Sequence, residues 1–398
     1  MFLGTSGSMP TARRAPTAVL IRRGGERLLF DCAEGTQRQL LRSSVGLVDL
    51  REVFLTHYHA DHYLGLPGML KTFSLRGREL PITIYGPRGL ADLFVSLRRI
   101  FGKLLYRYEL VELSPGDCLE RGDYRIETFP VAHGVTGVGY ALVEEDRPGR
   151  FDVEAADAAG VPAGPERGML QAGEAVTLSD GRTVTPDLVL GPQRPGRKVV
   201  ITGDTAPARS VLEAALGADL LVHEATFCEE ESERARETQH ATAAGAAALA
   251  RDAAVEMLAL THLSSRYFGP EVAREARAVF PRTVVPKDFD IIDVRFQERG
   301  GPQLVKGGAL HDRAQDTRGE AMTRMVQVAL AEDVTEAEEI QTILHSAGIE
   351  TALETAVEQH PRATEDAPQK ILVPESSLEA AQHAIEAMTD PDELLGDA

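Results

Sequence analysis

A layered α/β body followed by a small acidic α+β domain is the fold class that this sequence predicts, and three observations predict it. Over residues 1–306, short β-branched or apolar runs bounded by turn signals alternate with stretches of helical periodicity. The charge balance changes near residue 309. Beyond residue 320, two strand-like runs alternate with two amphipathic stretches. With 398 residues, 43% of them hydrophobic, the chain can bury one large core and a second, smaller one.

Residues 17–21, 27–30, 51–56 and 81–85 read as strands, and residues 35–41 and 89–101 as helices. Residues 150–196 differ in texture, with seven Gly and five Pro in 47 positions, a composition that rarely packs a core. Strand-like runs at 175–178 and 187–190 suggest an extended arm inserted into the body. Regular structure resumes at Lys198 and a polar linker is expected over 307–320. In the tail, residues 325–331 and 370–374 read as strands, and 335–347 and 377–388 as helices. Thr335 and Glu338 are spaced as a capping box.

The net charge of −19 is unfavourable for contact with phosphates, but 20 Asp and Glu against 5 Lys and Arg fall within residues 309–398. The body is nearly balanced and can present local basic patches, for which Arg13, Arg14, Arg22 and Arg23, or Arg98, Arg99, Lys103 and Arg107, are the candidates. Cys32, Cys118 and Cys228 form an odd set without CxxC spacing, which suggests neither a disulfide framework nor a thiolate metal site and fits a reducing, cytoplasmic compartment. No run reaches the roughly 18 apolar residues of a membrane span, and the first residues lack the apolar core of a signal peptide.

The strongest chemical signal is Thr56-His57-Tyr58-His59-Ala60-Asp61-His62, placed directly after an apolar run. A strand end there puts His57 and His59 on one side, where two imidazoles suit a borderline-soft cation, while Asp61 and His62 point to a second position. Two metals need further ligands. His133, Asp204 and His262 each follow an apolar, strand-like run, which places them at strand ends that can converge on one rim. Singly each is a weak signal, because a lone His usually sits in a core or on a surface; the set is more specific than its members.

These residues resemble the metallo-β-lactamase superfamily and, within it, the ribonuclease Z family. The likeness lies in GTSGSMPT, LLFDCAEGTQRQL, the histidine motif, GDT, His223-Glu224-Ala225-Thr226-Phe227, His240-Ala241-Thr242-Ala243 and PKDFDIIDVRF, and runs from Phe2 to about Phe296. It implies an αββα sandwich with a protruding arm. It also implies two zinc ions per subunit and no organic cofactor, with His57, His59 and His133 on one zinc, Asp61, His62 and His262 on the other, and Asp204 bridging. Two Zn2+, two carboxylates and a hydroxide sum to about +1, a field that attracts a phosphodiester.

The resemblance further implies an endoribonuclease that removes 3′ trailers from precursor tRNA, cutting after the discriminator nucleotide. Asp61 would accept the proton of the attacking water, His240 would protonate the departing ribose oxygen, and Glu224 would orient His240; His223 reads as structural. The arm would grip the tRNA elbow and serve the partner subunit of a homodimer, although this arm is poor in lysine. The tail is similar to a small family of putative signal-transducing proteins of prokaryotes, and its His311, His345, His360 and His383 show no ligand spacing. Two competing readings are a metal-dependent phosphodiesterase acting on small nucleotides, which would not need the arm, and a non-catalytic RNA-binding protein, which would not need the ligands.

Overall fold

Most strands of the body are apolar on both faces, and in the computed structural model of the chain both faces are covered. Residues 1–47, 49–307, 325–331, 334–346, 349–355 and 369–374, with positions 377, 378, 380, 381 and 385, are described. The chain divides into two units, Met1–His311 and Asp312–Ala398.

In the first unit, one sheet has the order β1 (Phe2–Gly4), β2 (Ala18–Arg23), β3 (Glu26–Phe30), β4 (Glu52–Phe54), β5 (Ile82–Pro87), β6 (Tyr108–Leu113), antiparallel as far as β3 and parallel from there. The second begins with the antiparallel strands β7 (Cys118–Glu120), β8 (Tyr124–Pro130) and β9 (Val138–Glu144). It continues, after the arm strands β10 (Val176–Thr177) and β11 (Thr183–Val184), with the parallel run β12 (Lys198–Ile201), β13 (Leu220–Glu224), β14 (Met257–Thr261), β15 (Thr283–Val284).

The period-two rule of strands sorts their residues into layers. Leu28 and Phe30 meet Val199, Ile201, Leu220, Val222 and Ala259 between the sheets, where Phe30, Phe54 and Tyr85 stack and Tyr140 meets Phe30 and Phe54 edge-on. The alternate residues Leu29 and Val53 face α1 (Thr36–Arg42), α3 (Gly65–Leu75) and α4 (Leu90–Phe101), which follow the four-residue α2 (Ala60–Tyr63). On the far side Val200, Leu221 and Leu258 face α7 (Arg209–Ala215), α9 (Ala243–Asp252) and α10 (Gly269–Val279). The result is the expected αββα sandwich. Four of the six alanines of α9, at 243, 246, 247 and 250, are buried in the layer against the sheet.

The arm departs from the sequence reading. Instead of an extended ribbon it is a small packed unit: α5 (Val153–Ala158), capped by the Asp152 side chain on the Ala155 amide, α6 (Pro165–Gln171) and the β10–β11 ladder enclose Ala156, Val161, Leu170, Val176, Leu178, Val184 and Val189. Seven buried apolar side chains offset the Gly and Pro content. Of residues 187–190, expected as a strand, Asp187 and Leu188 lie in a 3-10 turn that begins at Pro186, which has no amide to give a ladder. At the base, Arg147 and Arg194 pair with each other's backbone and with Glu298, and the Arg147 guanidinium lies 3.4 Å from the Phe296 ring centre.

One proposed basic patch is also corrected. Arg14 is turned inward on Thr5 and the Pro286 carbonyl, and Arg23 is bound to Asp123 and Glu144, so neither is free for phosphate. Arg98, Arg99, Lys103 and Arg107 do face solvent. After α8 (Ser232–Thr238), α9 and α10, the ladder of β16 (Ile291–Asp293) and β17 (Gln303–Val305) ends the body.

The second unit contains an antiparallel sheet in the order β18 (Met325–Ala331), β20 (Gln369–Pro374), β19 (Ala352–Thr355), with α11 (Val334–Ser346) against it. Ala331, Ala337, Leu344, Ile371 and Val373 fill its core. The strand β19 was not expected, and α11 begins at Val334, so Thr335 stands inside the helix and not at its cap. Most of the helix expected at 377–388, and His311, His360 and His383, lie outside the described residues; His345 is exposed. Among the described residues no helix is long and apolar enough to cross a membrane.

Candidate metal centre

The loops leaving β4, β8, β12 and β14 meet, and they bring all seven sequence-predicted ligands together in two groups, beside which Asp204 and His262 form a third with His240. In the first, the His57 Nε2 and His133 Nε2 atoms each lie 3.1 Å from His59 Nδ1, and Asp204 Oδ2 is 3.8 Å from His57 and 4.0 Å from His133. In the second, Asp61 Oδ2 lies 3.2 Å from His262 Nε2 and 3.7 Å from His62 Nε2, and Asp204 Oδ2 lies 3.2 Å and 3.4 Å from the same two nitrogens. Donors around a tetrahedral zinc with bonds of about 2.0–2.1 Å stand about 3.3 Å apart, so the spacing suits a small divalent ion in each group. One oxygen, Asp204 Oδ2, belongs to both.

Hydrogen bonds around the ligands set which ring nitrogen is free. The Thr56 hydroxyl donates to Asp31 and so accepts from His57 Nδ1 at 3.1 Å. Thr226 donates to Glu224 and accepts from His262 Nδ1 at 2.9 Å. His62 Nδ1 donates to Asp31 Oδ2 at 2.7 Å and His133 Nδ1 to the Gln239 carbonyl at 3.1 Å. In all four rings the Nε2 lone pair is thereby left facing the centre. His62 Nε2 is fully buried and has no hydrogen-bond partner, a costly arrangement that an ion would relieve.

The electrostatics agree. Burial, reinforced by His62, holds His57 well below the usual imidazole range and so in its neutral, donating form. Burial disfavours a cationic His62, yet Asp204 and Asp31 outweigh this and raise its pKa well above the usual imidazole range, so without an ion its Nε2 holds a proton whose place a bound cation would take. Burial would raise Asp61, but the His262 hydrogen bond and the charge of His62 and His262 hold it well below the usual carboxylate range.

His240, at the start of the segment before α9, stands beside this centre. Its Nδ1 is 2.7 Å from Glu224 Oε1, against 4.0 Å from Asp204, so that nitrogen is engaged by Glu224 and is not a metal donor. Burial lowers the His240 pKa, and the Glu224 hydrogen bond and charge more than reverse this, so the ring is held protonated to higher pH than a free imidazole. Glu224 is itself locked by the amides of Thr205 and Thr226. His223 is buried, with Nδ1 on the Glu224 carbonyl at 2.7 Å.

Four participants were not singled out from the sequence: Asp31, Thr56, Thr226, and Ser8, whose amide donates to Asp61 Oδ2 at 2.7 Å. Asp31 is held at a φ of 57°, a left-handed conformation that Asp tolerates better than most residues. Gly7 shows how tightly the N-terminal loop is fitted: a Cβ there would stand 2.6 Å from His262 Nδ1 and 2.8 Å from the His262 carbonyl. Gly7→Ala is therefore expected to destabilise the protein by about 1–3 kcal/mol and to weaken metal retention, read by thermal melting and metal analysis.

Sandwich and ligands together define a metallohydrolase centre, and the family model described as the metallo-beta-lactamase superfamily matches residues 12–262. The ribonuclease Z of Methanosarcina acetivorans is 44% identical over 300 residues, 74% of this chain and 98% of that one. That of Haloferax volcanii is 46% identical over 305 residues, 75% of this chain and 96% of that one. The chain belongs to the ribonuclease Z family. A crystal structure of human tRNase Z, short form, aligns with a TM-score of 0.52 and 27% identity over 73% of this chain and 96% of that one.

Proposed function

We propose that the chain is a zinc-dependent endoribonuclease that binds two zinc ions per subunit and removes 3′ trailers from precursor tRNA, cutting after the discriminator nucleotide and leaving a 3′-hydroxyl. The observation that supports it most directly is the pair of ligand groups sharing Asp204 Oδ2, with the His240–Glu224 pair beside them, in a chain 44–46% identical to ribonucleases Z. His57, His59, His133 and Asp204 would hold one ion, and Asp61, His62 and His262, with Asp204, would hold the other. Bound there, zinc supplies Lewis acidity and an acidified water at neutral pH.

The protein groups do the rest. Asp61, fixed by the Ser8 amide, accepts a proton from the attacking water. His240, kept protonated by Glu224, gives its proton to the departing ribose oxygen. No side chain becomes covalently attached to phosphorus. The protein acts in the cytoplasm, as a homodimer, and the arm holds the body of the tRNA away from the cut.

The test is a labelled precursor tRNA with a 3′ trailer, incubated with the purified protein with and without a chelator, and the cut mapped. Chelator-sensitive cleavage at the discriminator is expected; hydrolysis of small phosphodiesters alone would overturn the reading in favour of a phosphodiesterase. Because the arm has a core of its own, replacing residues 152–189 by a short Gly-Ser link should leave small-phosphodiester hydrolysis nearly unchanged. KM for precursor tRNA should rise about tenfold or more, which steady-state kinetics would read.

A further inference from the structure

The chain enters and leaves the arm through a stem of two segments whose ladder is sparse. Beyond Glu144, whose amide donates to the Arg197 carbonyl at 2.9 Å, the segments meet in two isolated bridges, Arg147 with Arg194 and Phe151 with Leu190. Between these bridges each segment has a glycine, and the two touch backbone to backbone: a Cβ on Gly149 would stand 1.9 Å from the Gly191 carbonyl oxygen. A stem with no side chains at its waist has little of its own that resists bending.

The resistance comes from the body. The turn between β16 and β17 carries Phe296 and Glu298, and Ile292, Val294 and Leu304 beside it are packed into the core between the sheets. Glu298 Oε1 accepts from Arg147 at 2.8 Å and from Arg194 at 3.2 Å, one arginine from each segment of the stem, and Oε2 accepts from a second nitrogen of Arg147 at 3.3 Å. The Phe296 ring centre lies 3.4 Å from the Arg147 guanidinium and 4.6 Å from that of Arg197. Arg197 also donates to the Val294 carbonyl at 3.1 Å and to the two oxygens of Glu144 at 2.7 and 2.6 Å, which ties the foot of the stem to the same hairpin. A lone exposed ion pair contributes little. Here Arg147 and Glu298 are only 23% and 25% exposed, and a forked contact, a second arginine and a cation over a ring converge on one turn.

We propose that Glu298 and Phe296 latch the arm to the body: the turn after β16 grips both segments of the stem at once and sets the direction in which the arm points. Glu298 is then a positioning residue for the RNA that the arm holds. The latch itself is independent of the substrate, whereas its effect on catalysis rests on the reading of the arm as the part that holds tRNA.

The test compares the wild type, Glu298→Ala, Phe296→Leu and the form with residues 152–189 replaced by a Gly-Ser link. Hydrogen exchange at the amides of Arg147, Gly191 and Arg194, which are bonded across the stem, should quicken about tenfold or more in both point variants. Amides of β12 and β13 should keep their wild-type rates, which shows that the fold is intact. KM for precursor tRNA should rise about three- to tenfold, with kcat and small-phosphodiester hydrolysis unchanged. In the form without the arm, Glu298→Ala should add nothing to KM, because there is no arm left to aim. Unchanged stem exchange in a folded Glu298→Ala protein, or the same KM penalty with and without the arm, would overturn the proposal. If the wild type cuts no precursor tRNA while stem exchange responds as stated, the latch stands and the nuclease reading falls.

Discussion

Asp61→Ala is expected to lower turnover of precursor tRNA by about 10^3-fold or more and to reduce bound metal from about two equivalents per chain towards one. Asp61 has two duties. Its Oδ2 is a donor of the second ligand group, 3.2 Å from His262 Nε2, and it is the carboxylate that the Ser8 amide steers at 2.7 Å. The first group contains no atom of Asp61, so its ion should remain. Asp61→Asn keeps the shape but not the basicity, and should retain more metal than Asp61→Ala while losing nearly as much rate. Metal analysis beside single-turnover kinetics separates the two duties; a full metal complement with wild-type turnover in Asp61→Ala would refute both.

His240→Ala should lower turnover by about 10^2- to 10^4-fold with both metal equivalents retained, because its Nδ1 is bound to Glu224 and is no ligand. If its task is to protonate a poor leaving group, the defect should shrink sharply on a nitrophenyl phosphodiester, whose leaving group needs no proton. Glu224→Gln should produce a smaller defect of the same pattern, since it removes the charge that keeps His240 protonated but leaves the ring in place. Loss of metal in His240→Ala, or an equal defect on both substrates, would remove His240 from the acid role.

How much of this was legible in the sequence follows from what each feature depends on. The candidate metal groups were readable because His57, His59, Asp61 and His62 sit within six residues, and because His133, Asp204 and His262 each end an apolar run. The layers were readable in part: the unbroken apolar runs at residues 28–30 and 199–201 mark strands covered on both faces, but the second sheet's order, which places β9 beside β12 across the whole arm, has no local signature. Asp31 and Thr226 escaped notice because they orient other side chains across 14 to 36 positions, a relation that spacing does not encode, and Thr56 because its hydroxyl is set on His57 by Asp31, 25 positions away. In the arm, Gly and Pro frequency masked seven dispersed apolar positions that fold onto one another. The arginines misread as a patch were judged by charge alone, and carboxylates more than 90 positions away claim Arg23.

One contact joins residues 61 and 262, a separation of 201 positions, and the shared Asp204 comes from the loop after β12, between them in the chain. During synthesis the chain therefore passes through two thirds of its length without a complete reactive centre, since the last ligand-bearing strand is also among the last of the body to be made. A chain halted before His262 lacks a donor of the second group, so the centre is completed only once the strand that precedes His262 has been made.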